Sequence, residues 1–463
     1  MAKTTPNGRT TDGPEPTGQG SAGVVPAGVV PDGLPAPGSG ASVSGSDGSG
    51  MEGVAPEGVV PDGAMTDSAV ANTTAVVRIM NERAVYQRTR QLGQVSASQL
   101  VAATGLSKPT IGLALGSLER AGLLRHVGHR VGQVGRAPRL YEIKPDAGCA
   151  LAVDVGASWI RVAIADLAGQ IVVRYDERVK ARSADTLVAQ VLELARSVPV
   201  KAGLTFADVT HTVLGIPGFY EPESQRINAA PNLPGLDRPG SVRALRGALG
   251  ERFSIDNDVN LATLAEQAYG LGANVGNFVF VSVGTGVGMG IVIDGRLYRG
   301  ANGRAGEISF LPVGDQGPVP VKVGSAADAR QHGILETVAS AEGVVATARE
   351  CGMTVTTAEQ VFEAARQEQP AAVRAVAAEA DHIARALAAI IAMLDPGLIV
   401  LGGGVGSNAD VLLEPVKARL AELLALAPPP IEMSALGRDN VVLGALAAGL
   451  DRARDAVLAQ LTP

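Results

Sequence analysis

Glycine-rich loops that follow short Val/Ile-rich segments constrain the fold of this chain more than any other feature. FVFVSV leads into GTGVG at 284–288, LIVL leads into GGG at 402–404, and CALAVDVG ends at Gly156. Such segments predict strands, and their alternation with Ala/Leu-rich helical stretches indicates a mixed α/β domain. Glycine also lets the backbone approach a phosphate closely. Nucleotide-type loops are therefore predicted at Asp154, Gly156, Gly284, Thr285, Gly286, Gly288, Gly402 and Gly403.

Basic residues are concentrated in one short segment of an acidic protein. The formal net charge is −7, yet residues 74–145 contain 11 basic and only 3 acidic side chains. A local basic region of this kind is typical of a nucleic-acid-binding module.

The same segment has the pattern of three helices followed by a β-hairpin. The first helix is predicted over 74–91, and Ser96 or Ser98 can cap a second helix that ends at Gly105. Ser107 can cap the third, with Pro109 in its first turn. Glycines between Leu123 and Ile143 predict a two-stranded wing. Residues 73–145 are therefore predicted to form an α+β winged helix-turn-helix domain.

In such a domain the third helix would enter the major groove of double-stranded DNA, and the wing would contact phosphates or the minor groove. The alternative is a small helical interaction domain with a solvated basic face. The predicted DNA-binding residues are Ser107, Lys108, Pro109, Thr110, Arg130, Arg136 and Arg139.

Residues 1–72 are rich in Gly, Pro, Ser and Ala and contain a near-repeat, GVVPAGVVPDG at 23–33 and GVAPEGVVPDG at 53–63. Such a segment has too little apolar surface to offset its ordering entropy, so a disordered tail or linker is predicted. The sequence has no apolar run of membrane-spanning length, no signal-peptide pattern and only two cysteines. These features predict a cytoplasmic protein without a membrane partner.

Several motifs follow one another along the chain: GLSKPTI, GIPG at 215–218, APNLPG at 230–235, DNDVNLATLAE at 256–266, GTGVGMGIVIDGRLYRGANGRAGE at 284–307 and DPGLIVLGGG at 395–404. Through these motifs residues 74–450 resemble the ROK family of repressors and sugar kinases. The resemblance implies an actin-like, two-lobed sugar-kinase-type domain over 146–463, divided near residue 265. Family members with an added N-terminal DNA-binding module are transcription regulators controlled by sugars or their derivatives.

The resemblance also implies roles for individual residues. Asp258 stands where the kinases of the family place the general base that deprotonates a sugar hydroxyl. For Asn257-Asp258 a helix N-cap remains the structural alternative. The residues implied to bind a sugar-like ligand are Asn232, Asn257, Asp258, Glu307 and Glu336.

The sequence departs from the family pattern at three places. The Gly-His pair expected after Glu307 is replaced by Ser309-Phe310, and the cysteines of the family's zinc motif are absent between Phe310 and Glu336. In the first phosphate loop Ala157 replaces a glycine, and its Cβ would crowd a phosphate. No metal and no cofactor is therefore expected, and ATP binding stays open.

These observations favour a DNA-binding transcription regulator, a repressor, whose operator affinity is set by a sugar-like ligand. The alternative is an active ATP-dependent sugar kinase of the hexokinase or glucokinase type with a regulatory DNA-binding domain. A third hypothesis is a DNA-binding protein that needs no ligand. A homodimer or homotetramer is expected, because helix-turn-helix proteins usually read two half-sites.

Overall fold

The structure is a computed structural model that describes residues 23–25, 67–129, 138–221, 223–228, 233, 235–238, 240–313 and 332–461. Predicted site residues Arg130, Arg136 and Asn232 lie outside these ranges, as does most of the predicted tail. Among the described residues, no helix is long and apolar enough to cross a membrane.

Two described parts of the predicted tail carry regular structure. Strand β1 (Gly23–Val25) pairs antiparallel with Arg174–Asp176 at the edge of a larger sheet. Helix α1 (Asp67–Leu92) begins before the predicted start at residue 74. No Gly or Pro interrupts the sequence between Asp67 and Leu92, so nothing local stops the helix from extending backwards.

Three helices and a three-stranded sheet form the N-terminal unit, defined here as residues 67–143. After α1 come β2 (Val95–Ser96), α2 (Ala97–Thr104), α3 (Lys108–Arg120), β3 (Leu124–His129) and β4 (Arg139–Ile143), with strand order β2-β4-β3. Ser96 caps α2 in a capping box with Gln99, and Gly105 ends that helix at φ 71°. Ser107 caps α3, as the sequence predicts.

The first lobe is built on a six-stranded sheet of order β1-β7-β6-β5-β8-β11. Its strands are β5 (Cys149–Val155), β6 (Trp159–Asp166), β7 (Ile171–Arg178), β8 (Val209–Ile216) and β11 (Phe253–Asn257), with a small hairpin of β9 (Phe219–Glu221) and β10 (Arg226–Asn228) beside it. Two helices, α4 (Ala184–Lys201) and α5 (Ser241–Leu249), belong to the same lobe. Strand β5 pairs antiparallel with β6 and parallel with β8, so the sheet is mixed.

The second lobe contains a five-stranded sheet of order β14-β13-β12-β15-β16. Its strands are β12 (Phe278–Val283), β13 (Val287–Ile293), β14 (Arg296–Tyr298), β15 (Ile399–Gly402) and β16 (Ile431–Met433). Its helices are α7 (Ile334–Ala339), α8 (Ala341–Glu350), α9 (Ala358–Arg366), α10 (Pro370–Leu394), α11 (Gly403–Gly406) and α12 (Ala409–Leu423).

Two helices lie between the sheets. Helix α6 (Asp258–Tyr269) contributes Ala262 to a core with the second sheet, and α13 (Asn440–Ala459) contributes Leu446 to a core with the first. The structure therefore differs from a simple division near residue 265, because the C-terminal helix returns to the first lobe.

Candidate functional site: a cleft between the lobes

A cleft of about 560 Å³ opens where the strands of both sheets end. Its walls include the loops after β5, β12 and β15 and the first residues of α6 and α13. The cleft brings together the described members of the predicted site: Asp154, Gly156, Asn257, Asp258, Gly284, Thr285, Gly286, Gly288, Glu307, Glu336, Gly402 and Gly403.

Asp154, the carboxylate of the first phosphate-type loop, is already paired within the protein. It is 4% exposed, and its Oδ2 accepts a hydrogen bond from Nη1 of Arg161 at 2.9 Å. The two residues face each other across the β5–β6 pair. Burial raises the pKa of Asp154 to about 6, and the opposing Arg161 charge limits that rise.

Asn257 and Asp258 occupy different positions at the start of α6. Asn257 is the N-cap of α6: its Oδ1 accepts from the Asn260 amide at 2.9 Å, and its Nδ2 donates to the Gly218 carbonyl at 2.8 Å. Asp258 is the first helical residue and lines the cleft. Burial, with repulsion from Asp154 and Glu307, raises its pKa to about 7. Asn257 is thus held by the backbone, while Asp258 carries the titratable group.

The two glycine loops contact each other through their backbones. A Cβ on Gly284 would lie 3.2 Å from the Gly404 nitrogen, and one on Gly403, at φ 84°, would lie 2.3 Å from the Val283 carbonyl oxygen. A side chain at position 403 would clash with the backbone, and one at position 284 would fit only if the neighbouring loop moved by a few tenths of an ångström. The loops after β12 and β15 therefore form one continuous wall of the cleft.

Gly306 sets the position of the neighbouring Glu307. Gly306 adopts φ 92°, and a Cβ there would lie 1.8 Å from the Met289 carbonyl oxygen, so only glycine fits. This contact holds Glu307 against β13. Burial raises the pKa of Glu307, and repulsion from Glu336 adds to the rise.

Glu336 connects His332 to the glycine loop after β12. Its Oε2 accepts a hydrogen bond from the Val287 amide at 2.9 Å, and its Oε1 lies 3.5 Å from Nδ1 of His332. Burial raises the pKa of Glu336, although the Val287 amide and His332 oppose the rise.

His332 was missed in the sequence analysis, which noted only that Phe310 replaces a histidine. The structure places both in the cleft, with Phe310 50% exposed. A Cβ on Gly333 would lie 2.1 Å from the Ser309 carbonyl oxygen, so this glycine lets the two segments meet. His332 precedes α7 and Glu336 lies in its first turn, and the turn at Gly333 (φ 87°) brings the two side chains together, so sequence spacing alone did not identify the pair.

In the described part of the chain, no group of three or more His, Cys, Asp or Glu side chains is placed to hold a metal ion. Cys149 and Cys351 are both free thiols, and Cys149 is buried beside Thr210. A zinc site of the usual kind, with four Cys or His ligands, does not fit these residues.

A second candidate surface lies on α3 of the N-terminal unit. Ser107, Lys108 and Pro109 are exposed, and the hydroxyls of Ser107 and Thr110 lie 2.8 Å apart. Leu113 is 76% exposed on the same helix. A Cβ on Gly112 or Gly116 would meet nothing within 4 Å, so internal packing does not explain these glycines.

Of the three wing arginines predicted to contact DNA, Arg139 falls within the described residues, and its side chain has partners within the protein. Its Nη2 lies 3.6 Å from Glu119 Oε1, and its guanidinium stacks 5.5 Å from the Tyr141 ring centroid. These contacts orient the side chain while leaving it about half exposed.

A two-lobed α/β domain with glycine loops and carboxylates around an interlobe cleft defines the actin-like sugar-kinase class. This chain belongs to the ROK family, whose profile matches residues 150–451. It is 33% identical to a glucokinase of Halalkalibacterium halodurans, with 63% of this chain and 92% of the relative covered. It is 24% identical to the xylose repressor of Caldicellulosiruptor bescii, with 76% and 91% covered.

Solved structures show the same fold. A ROK-family transcriptional regulator described as a homologue of the Escherichia coli MLC protein aligns with a TM-score of 0.68 at 22% identity, covering 84% of this chain and 99% of the other. A ROK hexokinase of Thermus thermophilus aligns with a TM-score of 0.56 at 26% identity, covering 66% and 99%.

Proposed function

We propose that this protein is a ROK-family transcription regulator, a repressor whose operator binding is controlled by a sugar-like ligand in the interlobe cleft. The observation that carries the proposal is the N-terminal unit, which joins an exposed, capped, basic helix to the ROK domain. Similarity to xylose repressors over 76% and 74% of this chain supports the same function.

The N-terminal unit is proposed to be a winged helix-turn-helix, with α3 in the major groove. The exposed start of α3 would place Ser107, Lys108 and Thr110 at phosphates or base edges. Leu113 and the neighbouring open glycines offer a smooth apolar surface, which suits contact with thymine methyl groups.

The phosphate side of the cleft is poorly suited to catalysis. Arg161 holds the Asp154 carboxylate, and Ala157 adds a Cβ where close phosphate approach needs none. Phosphoryl transfer depends on positioning, so small displacements are damaging. Ligand binding requires less alignment, and it regulates whenever the ligand favours one of two domain arrangements. The cleft is therefore proposed to bind its ligand without phosphorylating it.

The ligand is proposed to be a sugar derivative with an apolar substituent. Asp258, Glu307 and Glu336 supply acceptors for hydroxyl groups, and His332 supplies a nitrogen that can donate or accept. Phe310 presents a half-exposed aromatic face beside them.

Binding of DNA and release by sugar test this proposal together. Fluorescence anisotropy would measure affinity for a duplex selected by the full chain from a randomised pool, with D-xylose, D-glucose and N-acetylmannosamine as probes. We expect tight binding, release by at least one probe or its derivative, and loss of that release in Asp258→Asn with ligand-free affinity intact. If the full chain binds no duplex from the pool, the proposed function as a DNA-binding regulator is refuted.

An active sugar kinase is the second candidate, because a carboxylate with a pKa of about 7 suits a general base. The similarity to a glucokinase at 33% identity favours it further. Release of ADP with a hexose panel separates the two functions. Robust sugar phosphorylation that disappears in Asp258→Asn would establish the kinase.

The remaining parts of the proposal concern partners. The expected assembly is a homodimer or homotetramer on a two-fold operator, in the cytoplasm and without a bound metal.

A further inference from the structure

Helix α13 reaches from the ligand cleft to the N-terminal unit. The turn before it and its first residues, including Arg438, Asn440 and Val441, line the cleft. Near its other end Ala453, Val457 and Leu458 lie in one buried cluster with Val85 and Tyr86 of α1. Its 20 residues span about 30 Å at 1.5 Å per residue. One continuous helix thus extends from the cleft to the hydrophobic core of the N-terminal unit.

The cleft half of α13 is packed tightly against α6, the helix that begins with Asp258. A Cβ on Gly444 would lie 1.7 Å from the Leu261 carbonyl oxygen, so the two helices meet backbone to backbone. Glu266 of α6 is fully buried and accepts a hydrogen bond from Ser434, another cleft residue. Close-packed elements transmit displacement rather than absorb it. A shift of α6 on ligand binding must therefore move α13.

A buried cation fixes the far half of α13 to the first lobe, beside α1 of the N-terminal unit. Arg454 is 9% exposed, and its Nε and Nη2 donate to the Leu167 carbonyl oxygen at 3.2 and 2.9 Å. Arg90 of α1 lies 3.9 Å from Asp451 beside it. Burial lowers the pKa of Arg454, and Arg90 lowers it further. Nη1 of Arg454 also donates to Asp451 Oδ1 at 3.3 Å, so the Asp451 carboxylate lies between the two arginines and links α13 to α1.

Tyr86 of α1 adds an unsatisfied polar group to the contact between α1 and α13. It is 1% exposed, and its hydroxyl has no hydrogen-bond partner among the described residues. Burial raises the pKa of Tyr86 to about 12. A buried hydroxyl without a partner costs free energy, so this arrangement is not the tightest these residues could form. Because this hydrogen bond is missing, α1 and α13 can change to a second packing arrangement at a small cost in free energy, as regulation requires.

We propose that α13 is the coupling element between the two sites: ligand in the cleft shifts α6 and α13 together, and α13 repacks Arg454 against Tyr86 and Arg90 of α1, which changes the placement of α3. The inference rests on the proposed function, since it assigns the path by which that ligand acts on DNA binding.

Coupling is reciprocal, so DNA binding must alter the cleft even when no sugar is present. Hydrogen exchange would be measured on the full-length protein with and without a 30-base-pair duplex of random sequence at low salt. The expected result is a change of at least about fivefold in exchange rate at the cleft ends of α6 and α13, in peptides covering 257–263 and 437–446.

The uncoupling variant is Arg454→Met, with Arg419→Met as matched control, because Arg419 pairs with Asp381 in the second lobe. Arg454→Met should keep its DNA affinity by anisotropy and lose the exchange change at the cleft, while Arg419→Met keeps both. Should Arg454→Met fail to fold, Arg454→Lys keeps the charge but loses the forked donation to Leu167, and the same loss is expected.

The outcomes separate the two claims. DNA binding with exchange changes confined to residues 67–143 overturns the coupling alone. So does an Arg454 variant that folds, binds DNA and retains the change at the cleft. A full-length protein that does not bind DNA overturns the proposed function, and the coupling falls with it.

Discussion

Removing the charge of Asp258 should stabilise the protein in a pH-dependent way. Its pKa rises from 3.8 to about 7, chiefly through burial. One pKa unit corresponds to about 1.4 kcal/mol, so ionised Asp258 costs the folded state up to about 4 kcal/mol. Because the folded-state pKa is raised, the protonated group contributes stability that is fully present below pH 4 and lost by pH 7. Asp258→Asn removes this loss.

Urea unfolding followed by fluorescence of Trp159, the single tryptophan, reports on the first lobe. Relative to wild type, Asp258→Asn should gain about 2–4 kcal/mol between pH 4.5 and pH 8. The control is Asp208→Asn. Hydrogen bonds from Thr205 lower the pKa of Asp208, so this variant should instead lose stability at the higher pH. A difference between Asp258→Asn and wild type that does not change with pH would refute the burial argument.

Three further predictions concern separate parts of the molecule. Lys108→Ala should weaken DNA binding and reduce the slope of log affinity against log salt by about one, whereas Lys417→Ala, at a half-exposed lysine of the second lobe, should change neither. His332→Phe should weaken the binding of any sugar that releases DNA and leave the ligand-free DNA affinity intact. If the variant and the wild type release DNA at the same sugar concentration, His332 does not contact the ligand. Elemental analysis of untagged protein should find well under one zinc per chain, because the cysteines of the family's zinc motif are absent. Stoichiometric zinc that resists mild chelation would contradict this expectation.

Local signals were sufficient to predict much of the fold. The caps at Ser96 and Ser107 and the terminator at Gly105 are set by neighbouring residues, so they could be identified from sequence. The glycine loops at 284–288 and 402–404 were found for the same reason, and the cleft contains them.

Features that depend on distant contacts could not be found this way. The pairing of Asp154 with Arg161 requires the register of β5 against β6, which composition does not specify. The role of Gly444 appears only when α13 lies on α6, and the return of α13 to the first lobe is set by tertiary packing. For Asn257 and Asp258 the sequence offered two roles, and the structure shows the N-cap at Asn257.

The central claim is that one cleft ligand controls one DNA-binding unit in this chain. Its most direct test is a titration of the full-length protein, bound to a duplex selected from a randomised pool, with the sugar that most raises its melting temperature in a thermal-shift screen. The account predicts that this sugar lowers DNA affinity in wild type, and that Glu307→Gln binds the duplex normally but no longer responds. Sugar binding that leaves DNA affinity unchanged, or a Glu307→Gln protein that responds like wild type, would contradict it.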